Sequence, residues 1–398
     1  MKALIIGAGV CGPVTAMALG RAGIDAAVFE GHAQPTTRGS YLTVATNGLD
    51  ALRAIDAERS VIAAGFPTLW TLMSSGSGKA LGRVPIGSSR PGRDASITIA
   101  RSDLHRALQQ EALGRGIAVQ FGKRLAATRT EASSITACFE DGTEATGDVL
   151  IGCDGVHSRT RTLIAADAPA PRYLGLLNFG GYTPGVSAGE AGAWHMIFGA
   201  QAFFGYTADN RGGTVWFANV PRHASTAGER NATPAEEWKR WLVDRFTHDR
   251  GRAVALITSG ELQLAADNTH DLPTLPMWHH SRAIVIGDAA HAPSPSSGQG
   301  ASMAMEDGVI LAQHLRDIPN AEHALAAFSR ARRRRVERVV AQGARSSSSK
   351  AAGPVGRVLR DSMLPFVFRY LVTEKSLAWM YDHHIEWDRR ISIEMHAA

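Results

Sequence analysis

The chain has 398 residues, 44% of them hydrophobic, and 42 Lys and Arg against 37 Asp and Glu. That length exceeds one small core and predicts two or three interlocked layers or domains. A formal charge of +5 is modest, Cys11, Cys138 and Cys153 form no CxxC pair, and no apolar run reaches the ~18 residues of a bilayer span. The pattern argues against a disulfide scaffold, a structural zinc site and a membrane-spanning helix. The cysteine usage fits a reducing compartment, and the chain opens on a core strand rather than a secretory signal, which predicts a cytoplasmic protein.

The first element is an apolar strand, Lys2 to Ile6, that runs into Gly7-Ala-Gly9-Val-Cys-Gly12. A helical stretch follows from Pro13 to Ala22, then an apolar run, Ala26 to Phe29, ending in Glu30. This is the strand–turn–helix–strand unit that holds an adenine dinucleotide. Gly7 allows the tight turn, Gly9 lets the backbone approach the pyrophosphate, and Gly12 lets helix and strand pack closely. Amides at the helix start face the phosphates. Glu30 stands where a carboxylate accepts from the ribose hydroxyls, and it repels a 2′-phosphate, which excludes NADP from this unit.

Residues 31–60 read as a loop and a helix over Asn47 to Arg59. A second helix is predicted from Leu104 to Arg115, capped by Ser102 or Asp103. Strands follow at Ile117 to Phe121, Ser134 to Glu140 and Asp148 to Ile151, with Asp141-Gly142 at a hairpin turn. From Arg172 to about Leu264 the texture changes to Gly, Phe, Trp and Tyr, and strands at Ala193 to Phe198, Ala202 to Thr207 and Thr214 to Val220 predict an inserted antiparallel sheet. Glu236 to Thr247 reads as a helix on its edge. A buried strand returns at Arg282 to Ile286, followed by a Gly/Ser/Pro loop to Gly300 and a helix from Ala301 to Leu315. The basic run Arg330 to Arg338 lies in a helical pattern and, lacking an aromatic strip, reads as a solvated face rather than a nucleic-acid site. Gly343 to Gly353 reads as a connection between C-terminal helices.

Three glycine–acid sites thus fall at strand ends: Gly7 to Gly12 with Glu30, Asp154-Gly155, and Gly287-Asp288. In a doubly wound sheet such loops gather around the ligand crevice. With Cys153-Asp-Gly-Val-His-Ser-Arg159 and Gly287-Asp-Ala-Ala-His-Ala-Pro-Ser-Pro-Ser-Ser-Gly-Gln-Gly300 in this order, the chain resembles the single-component, class A flavoprotein aromatic hydroxylases, the para-hydroxybenzoate hydroxylase-like family. The resemblance spans roughly residues 1–340.

It implies an α/β fold: a Rossmann-like FAD-binding domain over 1–170 and 265–330, an inserted antiparallel-sheet substrate domain over 171–264, and a C-terminal helical region over 331–398. It implies that the first motif holds the ADP part of FAD, that Asp154-Gly155 serves FAD and the nicotinamide cofactor, that Asp288 accepts from a ribityl hydroxyl, and that Arg101 reaches the FAD backbone. Arg38 could contact FAD phosphate or ribose. Gly298-x-Gly300 opens the helix at Ala301, whose amides and dipole favour a reduced, anionic flavin. Pro293 and Pro295 stiffen that loop, and Gly298 lets the isoalloxazine approach. The flavin carries the chemistry, so no catalytic side chain is assigned and no metal is expected. His291 reads as structural; His157 and Arg159 read either as cofactor contacts or as surface ion pairs.

The implied reaction is a monooxygenation. NADH or NADPH, bound transiently, reduces FAD, O2 adds to give a C4a-hydroperoxide, and oxygen passes to an aromatic or polycyclic small-molecule substrate in a water-poor site. Hydroxylation and ketone insertion both stay open, as does oligomeric state. The substrate sheet offers His195, a candidate base for a phenol, with Phe204, Tyr206 and Trp216 as pocket candidates. Alternation puts Phe204 and Tyr206 on one face and Phe203 on the other. The alternatives are a flavin-dependent oxidoreductase without oxygen insertion and a non-enzymatic, ligand-sequestering flavoprotein.

Overall fold

The computed structural model describes residues 1–35, 40–88, 94–348 and 354–391. Its first layer is a six-stranded sheet in the order His279–His280, Ala283–Val285, Val149–Gly152, Lys2–Ile6, Asp25–Glu30, Val119–Phe121. All neighbours are parallel except the first pair. Leu4, Ile5, Val149 to Ile151 and Ile284 are fully buried because helices and a three-stranded antiparallel sheet (Glu144–Gly147, Ile135–Phe139, Leu125–Thr130) pack against this sheet, which is why these strands read as continuous apolar runs.

Helix Cys11–Arg21 packs against helix Gly300–Asp317. Small residues permit the close crossing: a Cβ on Gly308 would lie 2.6 Å from the Thr15 hydroxyl. The expected helix at Asn47 to Arg59 is two, Thr46–Arg53 and Glu58–Ala64, broken where Asp56 takes φ 55°. The helix expected from Leu104 begins earlier, at Arg101, and ends at Gly114; its N-cap is Ala100, with no side-chain cap from Ser102 or Asp103.

The second layer is a seven-stranded sheet, wider than the 171–264 segment expected to form it. Its order is Glu261–Asp271, Arg172–Thr183, Thr214–Pro221, Phe203–Ala208, Ala193–Phe198, Trp70–Ser75, Ala80–Pro85. The last two strands come from the N-terminal third, and Trp70–Ser75 joins in parallel to Ala193–Phe198. Period-two alternation gives this sheet two different faces. One packs Phe204, Tyr206, Trp216 and Ile197 against Trp238, Leu242 and Phe246 of helix Ala235–Phe246 and Leu256 of helix Ala253–Ser259. The other presents Trp194, Met196, Phe198, Phe203, Val215 and Phe217.

A small antiparallel sheet, Tyr41–Val44, Ser96–Ala100 and Phe66–Thr68, joins the two layers. Helix Ala321–Ser348 continues through the stretch expected to start a connection at Gly343; residues 349–353 lie outside the described residues. Helix Pro354–Tyr370 then lies over the edge strand Ala80–Pro85.

Candidate active site

The glycine loop is fixed by sterics. The amide of Gly7, at φ 103°, donates to the Phe29 carbonyl at 2.7 Å, and a Cβ there would strike the Cys153 carbonyl at 2.5 Å. A Cβ on Gly12 would sit 1.9 Å from the Gly7 carbonyl oxygen, whereas a Cβ on Gly9 would meet nothing within 4 Å. Two of the glycines therefore let the chain fold back on itself, and the third leaves open space above the helix start, where a phosphate would lie.

Glu30 closes the unit. Its carboxylate accepts from the Ala8 amide at 2.8 Å, the His32 amide at 2.9 Å and His32 Nδ1 at 2.7 Å. Burial pushes this carboxyl up, but these donors outweigh it and hold it below its ordinary range. Gln109, which the sequence reading missed, donates from Nε2 to the Ala8 carbonyl at 2.9 Å. It lies on the same helix as Arg101 and two helical repeats further along. The Arg101 amide donates to the Ser40 carbonyl, tying this helix to the chain that leaves the glycine unit. Arg38 lies outside the described residues.

Asp154 holds its own turn: it accepts from the Ser158 hydroxyl at 2.6 Å and from the Thr160 amide and hydroxyl at 2.9 and 3.0 Å. Gly155 takes φ 75° in this turn. Arg159 donates to the Ala126 carbonyl, and His157 stands edge-on to His270.

At the third motif, Gly287 takes φ 59°, and its amide donates to Asp307 at 2.9 Å. His291 Nε2 donates to the same carboxylate oxygen at 2.5 Å. Asp288 is half-buried; desolvation raises its carboxyl against the opposing pull of Arg101 and His291. The loop expected up to Gly300 contains a short helix, Asp288–His291, and a 3-10 turn, Pro295–Ser297, which Gly298 ends at φ 62° with no neighbour within 4 Å of a Cβ. Gly300 then starts the 18-residue helix that carries Ala301 in its first turn.

Behind this loop lies a buried polar network. Asn47 Nδ2 donates to Gln299 Oε1 at 3.0 Å and to Glu306 Oε1 at 2.7 Å. Glu306 also accepts from Arg335 at 2.7 and 2.9 Å and from Arg332 at 2.8 Å, and Arg332 reaches Asp307 at 2.9 Å. Arg335 donates onward to the Trp379 and Met380 carbonyls. The basic run is thus not all solvated: Arg332 is 2% exposed. An available signal was the pair Glu306-Asp307 set between the apolar runs Met303–Met305 and Val309–Ala312, since buried carboxylates demand buried cations.

The pocket candidates of the second layer are not brought to this site. Phe204, Tyr206 and Trp216 belong to the helix-backed core, and Trp216 Nε1 is occupied by Thr183. His195 stacks on Tyr206 at 4.8 Å and accepts from the Glu190 amide, while burial lowers its pKa. The opposite face is the one joined, through the small sheet, to helix Gly300–Asp317. The Trp194 indole donates to the Thr43 and Thr98 hydroxyls at 3.3 and 3.2 Å, and the Ala45 amide, two residues beyond Thr43, donates to Ser302 in the first turn of Gly300–Asp317 at 3.0 Å.

Glycine loop, buried acid and helix start at the carboxyl edge of a parallel sheet define the dinucleotide-binding class of fold, and a second, mostly antiparallel sheet is appended to it. The sequence matches the family described as FAD binding domain over residues 1–343, and the chain belongs to that family, as a FAD-dependent monooxygenase of the class A aromatic hydroxylase type. It is 29% identical over 353 residues to the FAD-dependent urate hydroxylase of Klebsiella pneumoniae, covering 85% of this chain and 88% of that one. It is 28% identical to the 6-hydroxynicotinate 3-monooxygenase of Pseudomonas fluorescens, over 81% of this chain and 84% of the other. The fold matches Klebsiella pneumoniae HpxO complexed with FAD and uric acid at a TM-score of 0.81 and 24% identity, over 95% and 97% of the two chains.

Among the described residues no helix is long and apolar enough to cross a membrane, and no group of His, Cys, Asp and Glu could hold a metal ion. The cradle fits FAD: space stands over Gly9 and Gly298, and the start of a long helix meets the third motif.

Proposed function

We propose that this FAD-dependent monooxygenase takes electrons from NADH or NADPH, consumes O2 and hydroxylates an aromatic or polycyclic, natural-product-like molecule. Gly7, Gly9, Gly12 and Glu30 hold the adenosine end of FAD, with Arg101 and Asp288 along the ribityl–phosphate stretch and Gly298, Gly300 and Ala301 at the flavin ring. Asp154 and Gly155 act through the turn that supports Gly7. Bound FAD supplies the redox chemistry; the protein orients it, excludes water and presents the substrate.

The observation that carries this reading is the bridge Trp194–Thr43–Ala45–Ser302. It supports an assignment in which the sheet face bearing Met196, Phe203 and Phe217 lies over the flavin-loop helix. Aromatic and thioether side chains there suit a planar apolar ring and shed water, which oxygen transfer requires. Asn219 and Asn178, hydrogen-bonded at 3.0 Å on neighbouring strands, offer polar anchoring at one end of that face.

The test is purification with FAD, a screen of NADH and NADPH consumption against phenolic, N-heteroaromatic and polyketide compounds, and mass analysis of product formed under labelled O2. One labelled oxygen in the product is expected. Reduced-nicotinamide oxidation with an unlabelled product would leave an oxidoreductase without insertion; ligand binding without nicotinamide oxidation would leave a sequestering flavoprotein.

A further inference from the structure

Helices Glu58–Ala64 and Arg101–Gly114 and the hairpin tip at Arg211 enclose a cleft of about 650 Å3. Its polar walls are Ser60, Asp103, Arg106, Gln110, Glu111 and Arg211, with no aromatic side chain lining it. A separate narrow space of about 20 Å3, which shares Ala64, Asp103 and Arg211 with the cleft, is lined also by Tyr41, Phe66 and Thr98. Thr98 is the residue that holds the Trp194 indole. This neighbouring space therefore lies against the small sheet that bridges the aromatic face and helix Gly300–Asp317.

We infer that this cleft binds the phosphate and ribose portion of the reduced nicotinamide dinucleotide, an inference that rests on the NAD(P)H-dependent reading above. The volume suits a ligand of that size. The walls are too polar for an apolar polycycle, whereas hydroxyl, carboxamide and guanidinium donors match a pyrophosphate and its riboses. Charge singles out the anchor. Asp103 pairs with Arg106 at 3.0 Å, and Glu111 with Arg115 at 2.8 Å; Arg115 is further pinned to the Ile55 and Asp56 carbonyls. Among the described residues no ion pair within 4.0 Å forms at Arg211, so the cleft itself is lined by three arginines against two carboxylates, with the Asp209 carboxylate in the adjoining space. The hairpin that carries it is held firmly. Asp209 accepts from the Arg211 and Gly213 amides at 2.9 and 2.8 Å and from the Tyr182 hydroxyl at 2.9 Å. The glycine loop of the parallel sheet is already committed to the adenosine end of FAD, so the second dinucleotide needs a separate seat.

The experiment follows anaerobic reduction of the FAD-loaded, full-length protein by NADH and by NADPH in a stopped-flow instrument. Arg211→Gln and Arg106→Gln are compared with Arg334→Gln, an exposed arginine on helix Ala321–Ser348 that removes the same charge elsewhere. Arg211→Gln should raise the nicotinamide Kd about ten-fold, the loss of one charge-assisted phosphate contact. Arg106→Gln should give a smaller rise, with flavin content, melting temperature and limiting reduction rate unchanged. Unchanged Kd values in both variants, or an equal rise in Arg334→Gln, overturn the cleft while leaving NAD(P)H-dependent oxygenation intact. So does a rise in the Kd of the aromatic substrate instead of the nicotinamide. A wild-type flavin that neither nicotinamide reduces overturns both.

Discussion

Replacing Glu306 with Gln tests whether the buried network sets the flavin loop. The carboxylate is fully buried and accepts from Arg335 through both oxygens, from Arg332 and from Asn47. Burial pushes its pKa up, yet Arg332 and Arg335 pull it down from 4.5 to about 2. At ~1.4 kcal/mol per pKa unit, that shift corresponds to about 3 kcal/mol of stability at neutral pH. The pKa is depressed by folding, so this contribution is complete above about pH 4.5 and is lost as pH falls towards about 2. Glutamine keeps the shape but turns an NH2 towards guanidinium N–H groups and leaves Arg332 with Asp307 alone. A loss of ~3–5 kcal/mol at pH 7 is expected, as for breaking a buried ion pair. In a chain this long that is a fall of roughly 5 °C in Tm. Because Glu306 also orients Asn47, and through it Gln299 beside Gly300, FAD affinity should fall as well. Thermal melts of the apoprotein from pH 7 to pH 3 and FAD titration by fluorescence quenching read both effects. The gap between wild type and Glu306→Gln should narrow on acidification. An unchanged Tm at pH 7, or a gap that stays constant down to pH 3, would refute the reasoning.

Gly12→Ala puts a methyl 1.9 Å from the Gly7 oxygen and must open the loop, so the FAD Kd should rise at least ~100-fold, about 3 kcal/mol, as measured by titration. Gly298→Ala meets no neighbour but must hold φ 62°, which costs ~1–2 kcal/mol; the expected outcome is a small Tm loss with a shifted flavin absorbance maximum. The two faces of the sheet separate by mutation. Phe204→Ala should cost ~3–5 kcal/mol in denaturant melts and leave the KM of a turned-over substrate unchanged. Phe217→Ala, at a half-buried side chain on the opposite face, should cost less stability and raise that KM. Equal KM effects in the two would contradict the assignment of faces.

The parallel sheet was legible because its strands are buried on both faces and its turns need glycine: Lys2–Ile6, Gly7 to Gly12 and Glu30 combine local signals with fixed spacing. The sheet insertion was legible from the aromatic texture, but not its width. Trp70–Ser75 and Ala80–Pro85 join it from 100 residues upstream in a region with few local cues, and such pairing depends on tertiary contacts. Alternation correctly placed Phe203 opposite Phe204, yet it could not say which helices back which face, because both faces carry aromatic residues. Helices Ala235–Phe246 and Ala253–Ser259 take the Phe204 face, and Leu364 and Phe368 of helix Pro354–Tyr370 pack on part of the other. The arginine run misled for a related reason. A charge on a helix reads as solvated until the carboxylates facing it, Glu306 and Asp307 on another helix, are known.

Those same carboxylates explain how loops from distant parts of the chain can form one cradle before any ligand arrives. Asp307 binds the Gly287 amide, His291 and Arg332, so the third motif is fastened to the middle of the helix whose start it faces. Asp307 is held down to about 2 by His291 and Arg332 against its burial, so it stays ionised and keeps all three donors across the neutral range. The aspartate of the third motif itself, Asp288, is left partly exposed and is raised rather than lowered by its surroundings. One aspartate thus serves as the internal fastener and the other remains available at the surface of the cradle. Ordering the loop through buried ion pairs shifts its entropy cost from ligand binding to folding, which is how a preformed site gains affinity. If this is correct, Asp307→Asn should loosen FAD more than Asp288→Asn does when both are compared at equal Tm, since only the first releases the loop from its helix; the reverse order in FAD titrations would show that direct contact, not preorganisation, dominates.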